Sequence, residues 1–234
     1  MSGRLGVVII PARGGSTRVP RKNIRPIDGV PAIARVISTC FRSDCVDRVI
    51  VSTDNDEIAR VAEAAGAETP FVRPASLADD HTGILPVIQH SIHELSLDAD
   101  ALVGCVYATA VTLDSTDLQR GFDELGRGSE SLIVSVTSYG YPIQRALSMD
   151  GQGHVRLEDP GLATVRSQDL PERWHDAGQF IWGSAHKWLR TAGVFSSAIG
   201  VEVPRWRIVD IDTEEDWQRA EILVRTISSI GADD

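Results

Sequence analysis

The chain has 234 residues, 42% of them hydrophobic and 24% charged, which suffices for one globular unit with its own core and is too even in composition for a disordered protein. With 23 Lys and Arg against 33 Asp and Glu its formal charge is −10, which excludes generic binding to nucleic acid or an anionic membrane and demands a local basic patch for any anionic ligand. The start runs directly into Val7-Val8-Ile9-Ile10, so neither a signal peptide nor a membrane span is expected; Cys40, Cys45 and Cys105, odd in number and set in or beside apolar runs, predict reduced thiols in a cytoplasmic protein.

Residues 6–10 are a mostly β-branched run closed by Pro11, which predicts a buried strand. Residues 31–41 place Ile33, Val36, Ile37 and Cys40 at helical spacing, and residues 48–52 return to a strand pattern. Residues 55–65 predict a second amphipathic helix, started by Thr53 or Asp54 as N-cap and stopped at Gly66. A strand over 69–72, a helix over 84–95, a strand over 101–107, a helix over 115–125 and a strand over 131–137 continue the alternation. Such β-then-α units with doubly apolar strands predict an α/β fold, with a largely parallel sheet between layers of helices. From 139 to 183 the pattern changes: residues 144–149 and 154–157 flank Asp150-Gly151-Gln152-Gly153, which predicts a β-hairpin in a lobe inserted into a single 1–234 domain. A strand over 208–211 and a helix over 214–230 close the chain. Ligands of open α/β sheets bind beyond the carboxyl ends of the strands, here the loops after Ile10, Ser52, Tyr107 and Val209.

The first of these loops, Pro11-Ala12-Arg13-Gly14-Gly15-Ser16-Thr17-Arg18-Val19-Pro20-Arg21-Lys22-Asn23, carries four cations in an acidic chain. Gly14 and Gly15 would let successive N–H groups converge on an anion while Arg13, Arg18 and Lys22 neutralise phosphate oxygens, which reads as a triphosphate cradle. The alternative is a solvated loop with Gly and Pro as turn formers. Neither G-x-x-x-x-G-K-[ST] nor G-x-G-x-x-G is present, which disfavours a P-loop ATPase or a nicotinamide dehydrogenase.

Asp210 and Asp212 stand two apart at the end of the last predicted strand, so alternation points both carboxylates to one face, where they suit Mg²⁺. The competing reading is a strand-end turn with Thr213 as N-cap and Glu214, Glu215 and Asp216 complementing the helix dipole. Asp54 either caps its helix or lines the site.

Ile10-Pro11-Ala12-Arg13-Gly14-Gly15-Ser16 with Lys22-Asn23, Val51-Ser52-Thr53-Asp54, and Val209-Asp210-Ile211-Asp212-Thr213 resemble the signature of the acidic-sugar cytidylyltransferases, the family of CMP-sialic acid synthetases, over nearly the whole chain. The resemblance implies a Rossmann-like three-layer nucleotidyltransferase fold, CTP and an acidic nine-carbon sugar as substrates, Mg²⁺ on Asp210 and Asp212, and a homodimer in which the inserted lobe meets the partner subunit. It implies CTP binding by Ala12, Arg13, Gly14, Gly15, Ser16, Lys22 and Asn23, with Asp54, Tyr107, Ala108 and Thr109, and catalytic roles for Arg13, Arg18, Lys22, Asp210 and Asp212. Thr17 stands where most sialate-type members have a lysine; Ser16-Thr17-Arg18 instead resembles the ketodeoxyoctonate (KDO) cytidylyltransferases, which passes the missing charge to Arg18 and keeps a non-catalytic CTP-binding homologue as an alternative.

Val106-Tyr107-Ala108-Thr109-Ala110 replaces the Leu-Gln-Pro-Thr-Ser type sequence of sialate and legionaminate enzymes, while Tyr141-Pro142-Ile143-Gln144-Arg145-Ala146 and His175-Asp176-Ala177-Gly178-Gln179-Phe180 are similar to segments of pseudaminic acid cytidylyltransferases. Pseudaminic acid is therefore the expected sugar, with sialic, legionaminic and KDO acids as alternatives. Arg145 would pair with the sugar carboxylate, and Gln144, Asp176 and Gln179 would hydrogen-bond hydroxyl and acetamido groups. Otherwise Arg145 lies on an exposed hairpin edge, and His175 packs beside Trp174. Trp174, Phe180 and Trp182 either anchor the dimer interface or fill the lobe's core.

Overall fold

The computed structural model describes residues 5–16 and 18–230. In chain order it forms β1 (Gly6–Pro11), a short hairpin of β2 (Pro26–Ile27) and β3 (Val30–Pro31), α1 (Ala32–Phe41), β4 (Val46–Ser52), α2 (Asp56–Ala64), α3 (Ile84–Glu94), β5 (Leu102–Val106), α4 (Ser115–Gly126) and β6 (Leu132–Ser138). A hairpin of β7 (Leu147–Met149) and β8 (Val155–Leu157) follows, then β9 (Trp174–Ser184), α5 (Ala185–Arg190), β10 (Ala198–Glu202) and α6 (Glu214–Ile230).

Six strands make one sheet in the order β10-β6-β9-β5-β1-β4, parallel except for β9, which runs antiparallel to both β5 and β6. Consecutive apolar residues on β1 serve both faces because the pleat turns neighbours to opposite sides. Val8 and Ile10 pack with Ile33 and Ile37 of α1, Ile58 of α2 and Leu118 of α4. Ile9 packs with Val103 and Cys105 of β5, Ile88 and Ile92 of α3 and Trp188 of α5. The result is a three-layer α/β arrangement, the sheet lying between two layers of helices.

A smaller third cluster positions the site. Val19 and Ile27 from the glycine loop and its hairpin, Val111, and Val209 and Ile211 pack under Trp217, Ala220 and Val224 of α6. Because Val209 and Ile211 point into this cluster, the alternating Asp210 and Asp212 are turned out.

Several expectations change. The α2 N-cap is Asn55, not Thr53 or Asp54: its side chain accepts from Glu57 N at 2.9 Å and Ile58 N at 3.1 Å. Residues 69–72 make only a bridge from Val72 to Thr53, between Pro70 and Pro74, which have no N–H for a ladder. Residues 208–211 keep strand-like alternation but pair with no strand. Residues 174–184, read as the end of the inserted lobe, are a strand in the middle of the main sheet, and Phe180 and Trp182 are wholly buried core rather than interface aromatics. Trp182 seats over Gly104 of β5, where a Cβ would come within 2.8 Å of its ring. α5 and the edge strand β10 were not expected.

Candidate active site

Each end of the glycine loop is tied to a neighbouring element. Ala12 N donates to Ser52 O at 2.9 Å, carrying the β1–β4 pairing into the loop. Gly14 N donates to Asp54 Oδ1 at 2.8 Å, so Asp54 neither caps its helix nor faces open solvent unengaged; it holds the loop. A side chain at position 14 would place its Cβ 2.9 Å from Asn55 Nδ2, so the close approach to the α2 cap needs glycine there. Asn23 is buried, and its Nδ2 donates to Arg13 O at 3.0 Å, tying the far end of the loop to its start. Ser16 N donates to Gly14 O at 3.1 Å, and Gly15 lies against Arg13.

The four loop cations separate. Arg21 turns away to pair with Glu57 of α2. Arg18 Nη2 lies 2.8 Å from Asp212 Oδ1, and Lys22 Nζ donates to Ile211 O at 3.0 Å while standing 3.6 Å from Asp212 Oδ1. Arg13 pairs with Asp80. The basic loop and the Asp210-Ile211-Asp212 segment, nearly two hundred residues apart in sequence, thus meet at one mouth. Thr17 lies outside the described residues.

Solvent reaches Asp210, yet burial among the walls of its cleft holds its carboxyl above the ordinary aspartate value, helped by the charges of Asp212, Asp176 and Asp216 and opposed by Lys22. Burial likewise raises Asp176, whose Oδ1 accepts from Gly178 N at 2.8 Å. Asp216 instead belongs to the helix: it accepts from Thr213 N at 2.9 Å while Thr213 Oγ1 accepts from Asp216 N at 3.2 Å, a reciprocal cap on α6. Glu214 clasps Arg25 through two bonds of 2.6 and 2.7 Å.

Two clefts are lined by residues of these segments. One, of about 180 Å³, is lined by Arg13, Ser16, Lys22 and Asn23 with Tyr107, Ala108 and Thr109 from beyond β5. The other, of about 370 Å³, is lined by Thr137, His175, Asp176, Arg205, Asp210 and Arg219. Two larger clefts, one between α1 and the end of α6 and one beside α5, hold none of the sequence-predicted residues, so size alone would misplace the site.

Three residues expected at the sugar line neither cleft. Gln144 Nε2 donates to Pro171 O at 2.8 Å and Arg145 Nη1 to Ser167 Oγ at 3.1 Å, beside the β7–β8 hairpin and outside both clefts. Gln179 is buried within the sheet, its Nε2 3.3 Å from Thr112 Oγ1. Sequence reasoning missed Arg73, which is 4% exposed, lines the smaller cleft and donates to Ser52 Oγ at 3.2 Å and to Ser52 O; burial lowers its pKa to about 10. An arginine after an apolar run and before Pro74 was the available signal.

The family described as cytidylyltransferase matches residues 7–169. Over 220 residues, 93% of this chain and 95% of the relative, the sequence is 38% identical to pseudaminic acid cytidylyltransferase of Campylobacter jejuni subsp. jejuni serotype O:2. It is 30% identical to N-acylneuraminate cytidylyltransferase B of Danio rerio over 97% of this chain and 53% of that one. A solved CMP:2-keto-3-deoxy-manno-octonic acid synthetase in complex with CTP shares the fold, with a TM-score of 0.68 at 16% identity over 95% of this chain and 99% of that one.

Proposed function

Because the chain belongs to the cytidylyltransferase family, we propose that it transfers CMP from CTP to the anomeric hydroxyl of an acidic nine-carbon sugar, releasing pyrophosphate, and that its preferred sugar is pseudaminic acid. The observation that carries the reading is the meeting of Arg18 and Lys22 with Asp212, with Lys22 lining the smaller cleft and Asp210 the larger. The choice of sugar rests on the identity to the Campylobacter jejuni enzyme and on the Tyr107-Ala108-Thr109-Ala110 and His175-Asp176-Ala177-Gly178-Gln179 segments.

In this reading the smaller cleft takes the nucleotide and the larger the sugar, which puts the sugar hydroxyl and the α-phosphorus on either side of Asp210 and Asp212. The hydroxyl oxygen attacks phosphorus, the bond to the bridging oxygen breaks, and pyrophosphate leaves with its electron pair; no enzyme nucleophile is needed. Arg13, Arg18 and Lys22 exchange their present carboxylate partners for phosphate oxygens and stabilise the charge that gathers on pyrophosphate. Asn23 and Asp54 act through the loop, holding Arg13 and Gly14 in place.

Mg²⁺ fits the donor set. Asp210 and Asp212 are hard oxygen donors; burial first and the charge of Asp212 second raise Asp210, and a divalent cation relieves that repulsion. Among the described residues no group of three or more His, Cys, Asp or Glu could hold a metal ion, so in this reading the two aspartates share the ion with water and phosphate. Bound there, Mg²⁺ would polarise the α-phosphate and favour ionisation of the hydroxyl.

The active form in this reading is a homodimer joined through the lobe around the β7–β8 hairpin, which exposes Leu147, Met149, Val155 and Tyr141. The cytoplasm suits three buried cysteines that are all free, and no helix of the described residues is long and apolar enough to cross a membrane. The deciding experiment is pyrophosphate release with CTP, Mg²⁺ and a panel of pseudaminic, sialic, legionaminic and KDO acids. Pseudaminic acid should lead sialic acid by at least about tenfold in kcat/KM, ~1.4 kcal/mol of transition-state discrimination. Equal or reversed preference rejects the sugar, and CTP binding without turnover of any of them rejects the reaction.

A further inference from the structure

The larger cleft presents Asp176, Asp210 and Asp216 to any substrate that enters it. A sugar with a carboxylate beside its reacting carbon needs a cation on this side, and Arg145, the residue the sequence suggested, is engaged with Ser167 outside the cleft. Three basic groups line the cleft. Arg219 Nη1 lies 3.6 Å from Asp216 and is committed in part to it. His175 donates through Nδ1 to Asp176 O at 2.8 Å, and its ring tilts against Tyr139 with centroids 4.8 Å apart. Arg205 has no carboxylate partner among the described residues; its Nη1 donates to Tyr139 O at 3.2 Å, which leaves other guanidinium N–H groups unengaged.

The placement of Arg205 follows from its neighbour. Residues Arg205–Arg207 form a single 3-10 turn, in which residues two apart point to different sides. Arg207 is buried, bonded to Asp117 of α4 and 3.4 Å from Asp114. With Arg207 fastened to α4, Arg205 lies along Tyr139 and Gly140 at the cleft wall, a position from which a planar fork can meet a carboxylate by two parallel bonds.

We propose that Arg205 is the specificity-determining residue that grips the C1 carboxylate of the sugar and thereby turns the anomeric hydroxyl toward Asp210. This assignment rests on the proposed CMP transfer to an acidic sugar. The test compares the free acid with its C1 methyl ester as substrates, by pyrophosphate release at saturating CTP and Mg²⁺. The wild type should favour the acid by on the order of 10²-fold in kcat/KM, the scale of a lost charge-assisted pair. Arg205→Ala should lower kcat/KM for the acid by that factor, leave the ester nearly unchanged and leave the KM for CTP within about twofold, so that discrimination collapses. Arg205→Lys, which keeps the charge without the fork, should recover part of the loss.

Arg145→Ala serves as the contrast and should keep the discrimination. Matching unfolding transitions for wild type and variants exclude misfolding as the cause. Full acid-over-ester preference in Arg205→Ala, or its loss in Arg145→Ala alone, overturns the assignment while leaving CMP transfer intact. Failure of the wild type to turn over any acidic sugar overturns CMP transfer, and this assignment with it.

Discussion

The glycine loop and the β7–β8 hairpin are both excursions from the sheet, yet they are held in opposite ways. The loop is pinned by Val19 and Ile27 under α6, by Gly14 on Asp54, by Asn23 on Arg13 and by Lys22 on the backbone of Ile211. The hairpin has three cross-strand pairs and no core beneath it: Leu147, Met149 and Val155 are 59%, 71% and 61% exposed. Two strands alone are marginal in water. The difference separates a region whose charged groups are fixed by packing and hydrogen bonds from one whose apolar side chains stand exposed.

The sharpest way to break the comparison is at the loop's acidic counterpart. Asp210→Asn or Asp212→Asn should lower kcat by roughly 10²–10³, about 2.7–4 kcal/mol of barrier, by weakening charge stabilisation at the phosphate. Stability should behave otherwise. A carboxyl whose pKa is raised by folding contributes stability below its unfolded pKa and loses that contribution as pH climbs through the folded value. At neutral pH ionised Asp210 therefore works against the metal-free fold, and Asn in its place should leave the unfolding temperature unchanged or slightly higher. Wild-type turnover in both variants at limiting Mg²⁺ would dismiss the metal site.

Next in size is the loop itself. Arg18→Ala should cost about 10² in rate, because a permanent cation with several donors is lost beside the reacting phosphates, whereas Thr17→Ala should cost far less, since a hydroxyl offers only a neutral hydrogen bond. Steady-state rates for the two variants check this; a near-normal Arg18→Ala with a collapsed Thr17→Ala reverses the roles. A smaller effect is expected at the hairpin. Met149→Asp should shift sedimentation from dimer to monomer and lower kcat/KM for the sugar by about tenfold, with the KM for CTP little changed, because a charge buried at an apolar interface is unpaired. A monomeric wild type would dismiss the dimer, and an unaltered dimer in the variant would move the interface elsewhere.

What was legible in the sequence depended on the range of the signal. Local periodicity located β1, α1 and α4, since an amphipathic pattern is decided within a few turns. The basic loop and the Asp210-Ile211-Asp212 segment were also readable, each as a local cluster of one charge, while their meeting is visible only in the fold. β9 was misread for a physical reason: it enters the sheet between β5 and β6 after the chain has left for the hairpin, and no local pattern reveals a partner reached by so long a detour. Arg145 and Gln179 were chosen from words shared with relatives, and only the fold shows one of them at the hairpin and the other inside the sheet. Arg205 lacked a signal of its own, since its role depends on Arg207 being held by α4.

The finest test of the preorganised region uses two adjacent residues with different duties. Asp54 and Asn55 follow β4, and the sequence offered Thr53 or Asp54, not Asn55, as the cap of α2. The structure gives the cap to Asn55 and the Gly14 N–H to Asp54. Asn55→Ala should therefore lower stability by about 1 kcal/mol, the usual worth of an N-cap, while the KM for CTP stays within about twofold. Asp54→Asn should do the reverse. Its amide oxygen can still accept from Gly14, but the bond loses its charge assistance, and because Asp54 is exposed the loss is screened to a fraction of a kcal/mol. Stability should hardly move, and the KM for CTP should rise by about threefold as the loop loses some of its hold, with kcat nearly constant. Thermal unfolding and CTP titrations on the two variants check the division. If Asp54→Asn lowered stability as Asn55→Ala does and left CTP binding alone, Asp54 would be part of the helix start and the loop would owe its shape to Asn23 and Val19.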